Sequence, residues 1–73
     1  NMKTFTTLNV VSKITNPKTG EVVEILKVQK DGTKRTFFKP VVEKEGKKMM
    51  ITTTLWARLY DAESLAKKYL NRQ

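Results

Sequence analysis

The chain contains no cysteine and no histidine. Without cysteine it can form no disulfide bond, and without both residues it lacks the side chains that most often bind zinc and other soft metals. The usual general base and the usual thiol nucleophile of enzymes are missing for the same reason. We therefore expect a protein that is not an enzyme and that uses no metal and no cofactor.

The chain is also short, with 73 residues, which is the size of one small domain. Such a domain buries a modest fraction of its surface, so its stability must come from side-chain packing or from a second subunit. It has no apolar run long enough to cross a bilayer and no signal-peptide pattern. We expect a cytoplasmic protein with no membrane partner, and a natural chain that begins at Met2.

Acidic residues are scarce relative to basic ones. Seven Asp and Glu oppose fifteen Lys and Arg, which gives a formal net charge of +8. This balance favours an anionic partner, namely DNA, RNA or an acidic protein. Twelve of the cations are lysine, which attracts phosphate diffusely, whereas arginine reads bases through bidentate hydrogen bonds. A lysine-rich surface that serves only solubility is the alternative.

The three glycines and Pro17 divide the first two thirds of the chain into β-prone segments. Asn16-Pro17-Lys18-Thr19-Gly20 predicts a turn, and Asp31-Gly32 and Glu45-Gly46 each predict a two-residue hairpin turn. The segments between these turns are rich in β-branched and aromatic residues, which favour strands. The predicted strands cover about residues 4–14, 21–29, 33–43 and 47–53.

The hydrophobic period changes after the fourth predicted strand. From Leu55 the apolar positions are spaced by four, three, four and three residues, which is the period of an amphipathic helix. We favour a helix over about residues 54–71, with Thr53 or Thr54 as its N-cap.

A second interpretation starts the helix at Asp61 and continues the fourth strand to about Leu59. Both interpretations predict the same fold class. It is α+β, with a four-stranded antiparallel β-meander followed by one C-terminal α-helix packed on one face of the sheet.

The turns predict which residues share a face of the sheet. A two-residue turn at Asp31-Gly32 places Leu26 opposite Phe37, and one at Glu45-Gly46 places Val42 opposite Met49. The face that the helix should cover comprises Leu8, Val10, Ile14, Val23, Ile25, Phe38, Val42, Met49 and Ile51.

The opposite face combines aliphatic and aromatic residues with cations. Its predicted members are Phe5, Val11, Lys13, Val22, Glu24, Leu26, Val28, Arg35, Phe37, Lys39, Val41, Lys48 and Met50. A surface this apolar and this basic is typical of an interaction site.

Cationic grooves with aromatic stacking platforms bind single-stranded nucleic acid. The candidate site therefore consists of Lys13, Arg35, Lys39 and Lys48, which would neutralise phosphates, and Phe37, on which a base would stack. We predict a small, basic, non-enzymatic protein that forms a homodimer and binds DNA or RNA in transcription, replication or recombination. The alternative is a protein-interaction module, an adaptor or inhibitor, whose same face binds a protein or a second copy.

The order of elements resembles the single-stranded DNA-binding transcriptional coactivator (positive cofactor, Whirly-like) family. The matching residues are Gly20–Ile25, Lys39, and Ile51–Leu59 with Trp56. In that family a dimer presents curved sheets to single-stranded DNA, which is what the resemblance implies here. Small arm-binding domains of integrases, with a three-stranded sheet and a helix on duplex DNA, are similar to nearly the same degree.

Overall fold

The computed structural model describes residues 4–72, so the expected start at Met2 lies outside the described residues. Its elements are β1 (Phe5–Thr15), β2 (Val22–Lys30), β3 (Thr36–Lys44), β4 (Lys47–Met50) and α1 (Leu59–Leu70). The strands form one antiparallel sheet in the order β1-β2-β3-β4, and α1 packs against β1, β2 and β3. The predicted α+β meander with a C-terminal helix is confirmed.

The main core lies between α1 and the middle of the sheet. Ala62 and Ala66 are fully buried against Val23 and Ile25 of β2, and Leu70 closes the end of the cluster. Because alanine has a small side chain, these two positions let the helix approach the sheet closely. The partly buried residues around this core are Val11, Ile14, Phe38, Ile51, Trp56, Leu59 and Tyr69.

Two β-bulges in β1 change the predicted faces of that strand. The register with β2 shifts between Thr7 and Asn9 and again between Val10 and Ser12. An extra residue in a strand moves the residues that follow it to the other face of the sheet. Val10 consequently lies opposite Leu26, away from the helix, while Val11 packs against the main core. The predictions for Val10 and Val11 are therefore wrong.

The turn at Glu45-Gly46 has the predicted geometry. Both residues have positive φ, 52° at Glu45 and 80° at Gly46, as a type I′ turn requires. Val42 lies opposite Met49, so the predicted register of β3 and β4 is confirmed. Met49 is nevertheless 52% exposed, because β4 lies at the edge of the sheet.

The predicted register of β2 and β3 is wrong by two residues. Leu26 lies opposite Lys39, and Phe37 lies opposite Val28. Side chains alternate between the two faces along a strand, so a shift of two residues leaves each one on its predicted face. The error therefore changes which residues are neighbours without changing what each face carries.

The reason for the shift is a longer loop between β2 and β3. The Lys30 N–H donates to the Arg35 carbonyl at 2.9 Å, which closes a loop of residues 31–34. Only Gly32 has positive φ in this loop, so the Asp-Gly pair does not form a type I′ turn. The Thr33 hydroxyl donates to the Lys30 carbonyl at 3.0 Å and stabilises the longer form.

The helix begins later than we favoured. α1 starts at Leu59, and its N-cap residue Arg58 makes no side-chain capping bond, so the predicted start near residue 54 and the threonine cap are wrong. The preceding segment follows β3 instead, because the Trp56 N–H donates to the Phe38 carbonyl at 2.9 Å and the Phe38 N–H donates to Trp56 at 2.7 Å. The structure is thus closer to the second interpretation, although β4 itself ends at Met50.

Within residues 4–72, no helix has the length and apolar character needed to cross a bilayer.

Candidate nucleic-acid interface

The face of the sheet opposite α1 carries all five residues of the candidate site, and we call it the cationic face. Lys13 lies on β1, Phe37 and Lys39 lie on β3, Lys48 lies on β4, and Arg35 immediately precedes β3. In the part of the chain that the structure describes, no helix packs on this side. The sheet therefore brings together residues that are up to 35 positions apart in the sequence.

A small second core lies within the cationic face. Leu26, Val28 and Val41 are only 7%, 1% and 3% exposed although no helix covers them. Their cover consists of the partly buried side chains of Phe5, Phe37 and Leu55. We call these six residues the outer cluster. The centre of the face is less apolar toward solvent than the sequence indicated, because Leu26, Val28 and Val41 are already covered by the chain's own aromatic and leucine side chains.

Glu24 lies at one end of this face between two of the predicted cations. Its carboxylate oxygens are 3.0 Å from Lys48 Nζ and 3.6 Å from Lys13 Nζ. The hydrogen bond from Lys48 is the largest influence, and it lowers the pKa of Glu24 below its ordinary value of 4.5. Partial burial raises this pKa, while the positive charges of Lys48 and Lys13 lower it further. Glu24 is therefore ionised at neutral pH and holds both lysines over the sheet.

Strand alternation placed Glu24 on this face, and the predicted register, with Leu26 opposite Phe37, put Glu24 opposite Lys39. The pairing of its carboxylate with Lys13 and Lys48 was not predicted. A single carboxylate among Val22, Val23, Ile25 and Leu26 in a central strand was the available indication. A charged residue in such a strand needs a partner of opposite charge. The two-residue error in register concealed which lysines supply it.

Arg35 and Phe37 form a cation–π pair at the opposite end of the face. The guanidinium carbon of Arg35 is 5.5 Å from the centroid of the Phe37 ring, within the range of a cation–π contact. Phe5 meets the same ring edge-to-face, with centroids 6.0 Å apart and an angle of 86° between the rings. Phe37 is thus half-buried in the outer cluster, and the exposed residue Arg35 places its guanidinium over the ring.

Lys39 lies between the two ends of the face. It is opposite Leu26 and is two residues from Phe37 along β3. Residues that are two apart on a strand are about 6.7 Å apart and point to the same side. Arg35, Phe37 and Lys39 therefore form a row about 13 Å long, in the order cation, aromatic, cation. Within residues 4–72, neither Arg35 nor Lys39 forms an ion pair.

The described residues 4–72 contain no group of three or more acidic side chains that could hold a metal ion. Trp56 packs against the main core on the helix side of the sheet, so it is not part of the cationic face.

Comparisons with protein-family models, with curated proteins and with solved structures found no match to this chain. The resemblance to the coactivator family stays a prediction.

Proposed function

We propose that this chain is a small, non-enzymatic protein that binds single-stranded DNA or RNA through its cationic face. The observation that carries the proposal is the row formed by Arg35, Phe37 and Lys39 on a face without a covering helix. With nucleic acid as its ligand, we place the protein in the cytoplasm, in transcription, replication or recombination, and we propose that it acts as a homodimer.

The row would contact the sugar-phosphate backbone through its cations. Arg35 and Lys39 have no acidic partner within residues 4–72. Phosphates can therefore bind them without displacing a carboxylate. Neutralising phosphates releases counterions, and this release makes association favourable and dependent on salt. The first step of binding is therefore electrostatic and independent of base sequence.

Stacking would distinguish a single strand from a duplex. A base of a single strand is free to stack on an aromatic ring or on the plane of a guanidinium group. Because Arg35 already lies over Phe37, we propose that its guanidinium presents the outer stacking surface and that Phe37 supports it from below. This modifies the prediction from sequence, in which a base stacks on Phe37 directly.

Lys13 and Lys48 would extend the binding path to the other end of the face. Both lysines are held by Glu24 in the free protein, so phosphates would compete with its carboxylate for them. Glu24 therefore limits affinity while it positions two cations. The end of the interface with Lys13 and Lys48 should thus bind phosphate more weakly than the end with Arg35 and Lys39.

The test is charge reversal of the row in the Arg35→Glu/Lys39→Glu double variant. The matched control is Lys18→Glu/Lys68→Glu, which changes the net charge equally at two exposed positions in the β1–β2 turn and in the last turn of α1. For a single-stranded ligand, each lost phosphate contact lowers the slope of log K against log salt by about 0.7. We expect the row variant to lower this slope by about 1.4. The control variant should retain the slope and lose only a small part of its affinity.

Circular dichroism spectra and thermal unfolding establish that both variants keep the fold. If the folded row variant binds with the affinity and slope of the original chain, the assignment of the site is wrong. If both variants lose affinity equally, binding depends on net charge alone and the row has no special role.

Specific features also favour the alternative, a protein-interaction module that acts as an adaptor or inhibitor. Leu8, Val10, Met49 and Met50 are between 40% and 52% exposed along the two edge strands. Exposed apolar side chains on an edge strand are typical of a protein contact. This function predicts affinity for one protein partner and no general affinity for DNA or RNA.

A further inference from the structure

We propose that the outer edge of β1 is the surface through which two copies of this chain form the homodimer. The two β1 strands would pair in antiparallel fashion about a two-fold axis and join the two sheets into one of eight strands. The pairing rests on the chemistry of the edge alone. Its consequence for binding, a joined cationic face, rests on the function proposed above.

β1 is a long edge strand with little protection against pairing. It has 11 residues, and within residues 4–72 no strand pairs with its outer side. Natural proteins protect such an edge with charged residues, with proline or with short strands. From Phe5 to Ser12 this strand has no charge and no proline, and Lys13 is its one charged residue. The bulges near Leu8 and Val11 are its remaining protective feature.

The other edge of the sheet differs in each of these respects. β4 has four residues, and Lys47 and Lys48 are two of them. Two lysines at the start of so short a strand disfavour pairing with a second cationic copy. The contrast between the edges selects β1 over β4 as the site of strand addition.

The chemistry of the edge fits a second copy of β1 as its occupant. An acidic strand from another protein would find only Lys13 to pair with, whereas an uncharged strand matches the segment from Phe5 to Ser12. Antiparallel pairing centred near Asn9 places Lys13 of one copy opposite the partner's Phe5 end, away from the partner's Lys13. The half-exposed Leu8 and Val10 then gain apolar neighbours in place of water.

The symmetry of this pairing determines where the two cationic faces lie. Edge-to-edge antiparallel pairing of identical strands places the two-fold axis perpendicular to the sheet. The two helices consequently lie on one side, and both cationic faces lie on the other. A single strand of nucleic acid could then contact both copies, which raises the overall affinity without any new kind of contact.

Sedimentation equilibrium of the full chain at low and at high salt tests the pairing. The original chain should sediment at twice its mass of 8.4 kDa. Val10→Lys, at a position 41% exposed, should shift the mass to that of one chain, and Leu8→Lys should do the same if Val10→Lys does not fold. The matched control Met49→Lys, at a 52% exposed position of β4, should remain a dimer.

High salt should strengthen the dimer, because it screens the repulsion between two chains of charge +8. The same salt should weaken nucleic-acid binding, so the two claims fail separately. A monomeric original chain, or a folded Val10→Lys variant that stays dimeric, overturns the interface even if nucleic acid binds. A salt-resistant dimer that Val10→Lys separates supports the interface, even if it binds no nucleic acid and the proposed function is lost.

Discussion

Replacing Glu24 by glutamine should strengthen nucleic-acid binding. Glu24 holds Lys48 at 3.0 Å and Lys13 at 3.6 Å on the cationic face. Glutamine has nearly the same shape but no charge, so it releases both lysines without leaving a space above the sheet. The substitution distinguishes the two candidate functions. Only a nucleic-acid interface predicts that the loss of these ion pairs raises the affinity for DNA or RNA.

The expected gain follows from the number of lysines released. For a single-stranded ligand, each added phosphate contact contributes about 0.7 to the salt slope, which is about a five-fold gain in affinity at about 0.1 M salt. Two released lysines therefore set an upper limit of about 25-fold. Because both side chains are about half exposed or more, they already contact phosphate part of the time, and we expect a gain of about five-fold.

The cost to folding should be small. Partly exposed ion pairs contribute about 0.2–1 kcal/mol each to the free energy of unfolding, so the Glu24→Gln variant should remain folded at room temperature. A urea titration followed by circular dichroism measures this loss before the binding experiment.

The assay is a fluorescence-anisotropy titration of a labelled single-stranded oligonucleotide over a series of salt concentrations. The matched control is Glu63→Gln, which removes the same charge from α1, on the other side of the sheet, and retains an oxygen to accept the Ser12 hydroxyl bond. If Glu24→Gln and Glu63→Gln raise affinity equally, the effect comes from net charge. If Glu24→Gln leaves affinity unchanged or lowers it, phosphates do not reach Lys13 and Lys48, and this end of the interface is refuted.

Two further predictions concern stability. The pKa of Glu24 is lower in the folded chain than its ordinary value of 4.5, so its contribution is fully present above pH 4.5 and is lost as the pH falls through the folded value. Urea midpoints should therefore fall below pH 4.5 more steeply for the original chain than for Glu24→Gln, and equal slopes would contradict the ion-pair geometry. Glu45 has a φ of 52°, which asparagine tolerates better, so Glu45→Asn should raise the free energy of unfolding by about 0.5–1 kcal/mol. A lower urea midpoint for Glu45→Asn would show that the turn does not have the type I′ form.

The alternation of residue types was enough to predict the strands and, apart from Val10 and Val11 in the bulged β1, which residues lie on the cationic face. The Glu45-Gly46 turn was predictable because its geometry depends on two adjacent residues. The error at the β2–β3 loop did not change which residues of β2 and β3 share a face, since the true register differs from the predicted one by an even number of residues. Errors of this kind change the neighbours of a residue and leave its side of the sheet unchanged.

The parts that were not predictable depend on contacts distant in sequence. The apolar stripe continues unbroken from Leu55, but Trp56 pairs with Phe38 and keeps the segment before Leu59 out of the helix. The hydrogen bonds between Trp56 and Phe38 join residues 18 positions apart, and nothing local to Trp56 indicates them. In the segment before Leu59, pairing with a distant strand therefore determines the backbone conformation, although the apolar periodicity favours a helix.

The contacts among the side chains of the candidate site were predictable only in part. Its five residues share a face because strand alternation places them there, and that alternation is visible in the sequence. The ion pairs of Glu24 with Lys13 and Lys48 depend on how the strands are aligned across the sheet. The cover that Phe5 provides over the outer cluster depends on the β1 bulges, for which the sequence offers no local rule.

The central claim is that the cationic face binds single-stranded nucleic acid. Its most direct test is a fluorescence-anisotropy titration of the original chain with labelled single-stranded and duplex oligonucleotides, each at a low and a high salt concentration. We predict tighter binding of the single strand, with an affinity that falls steeply as salt rises. No binding of either form at low salt would contradict the claim, and the face would then be interpreted as a protein interface.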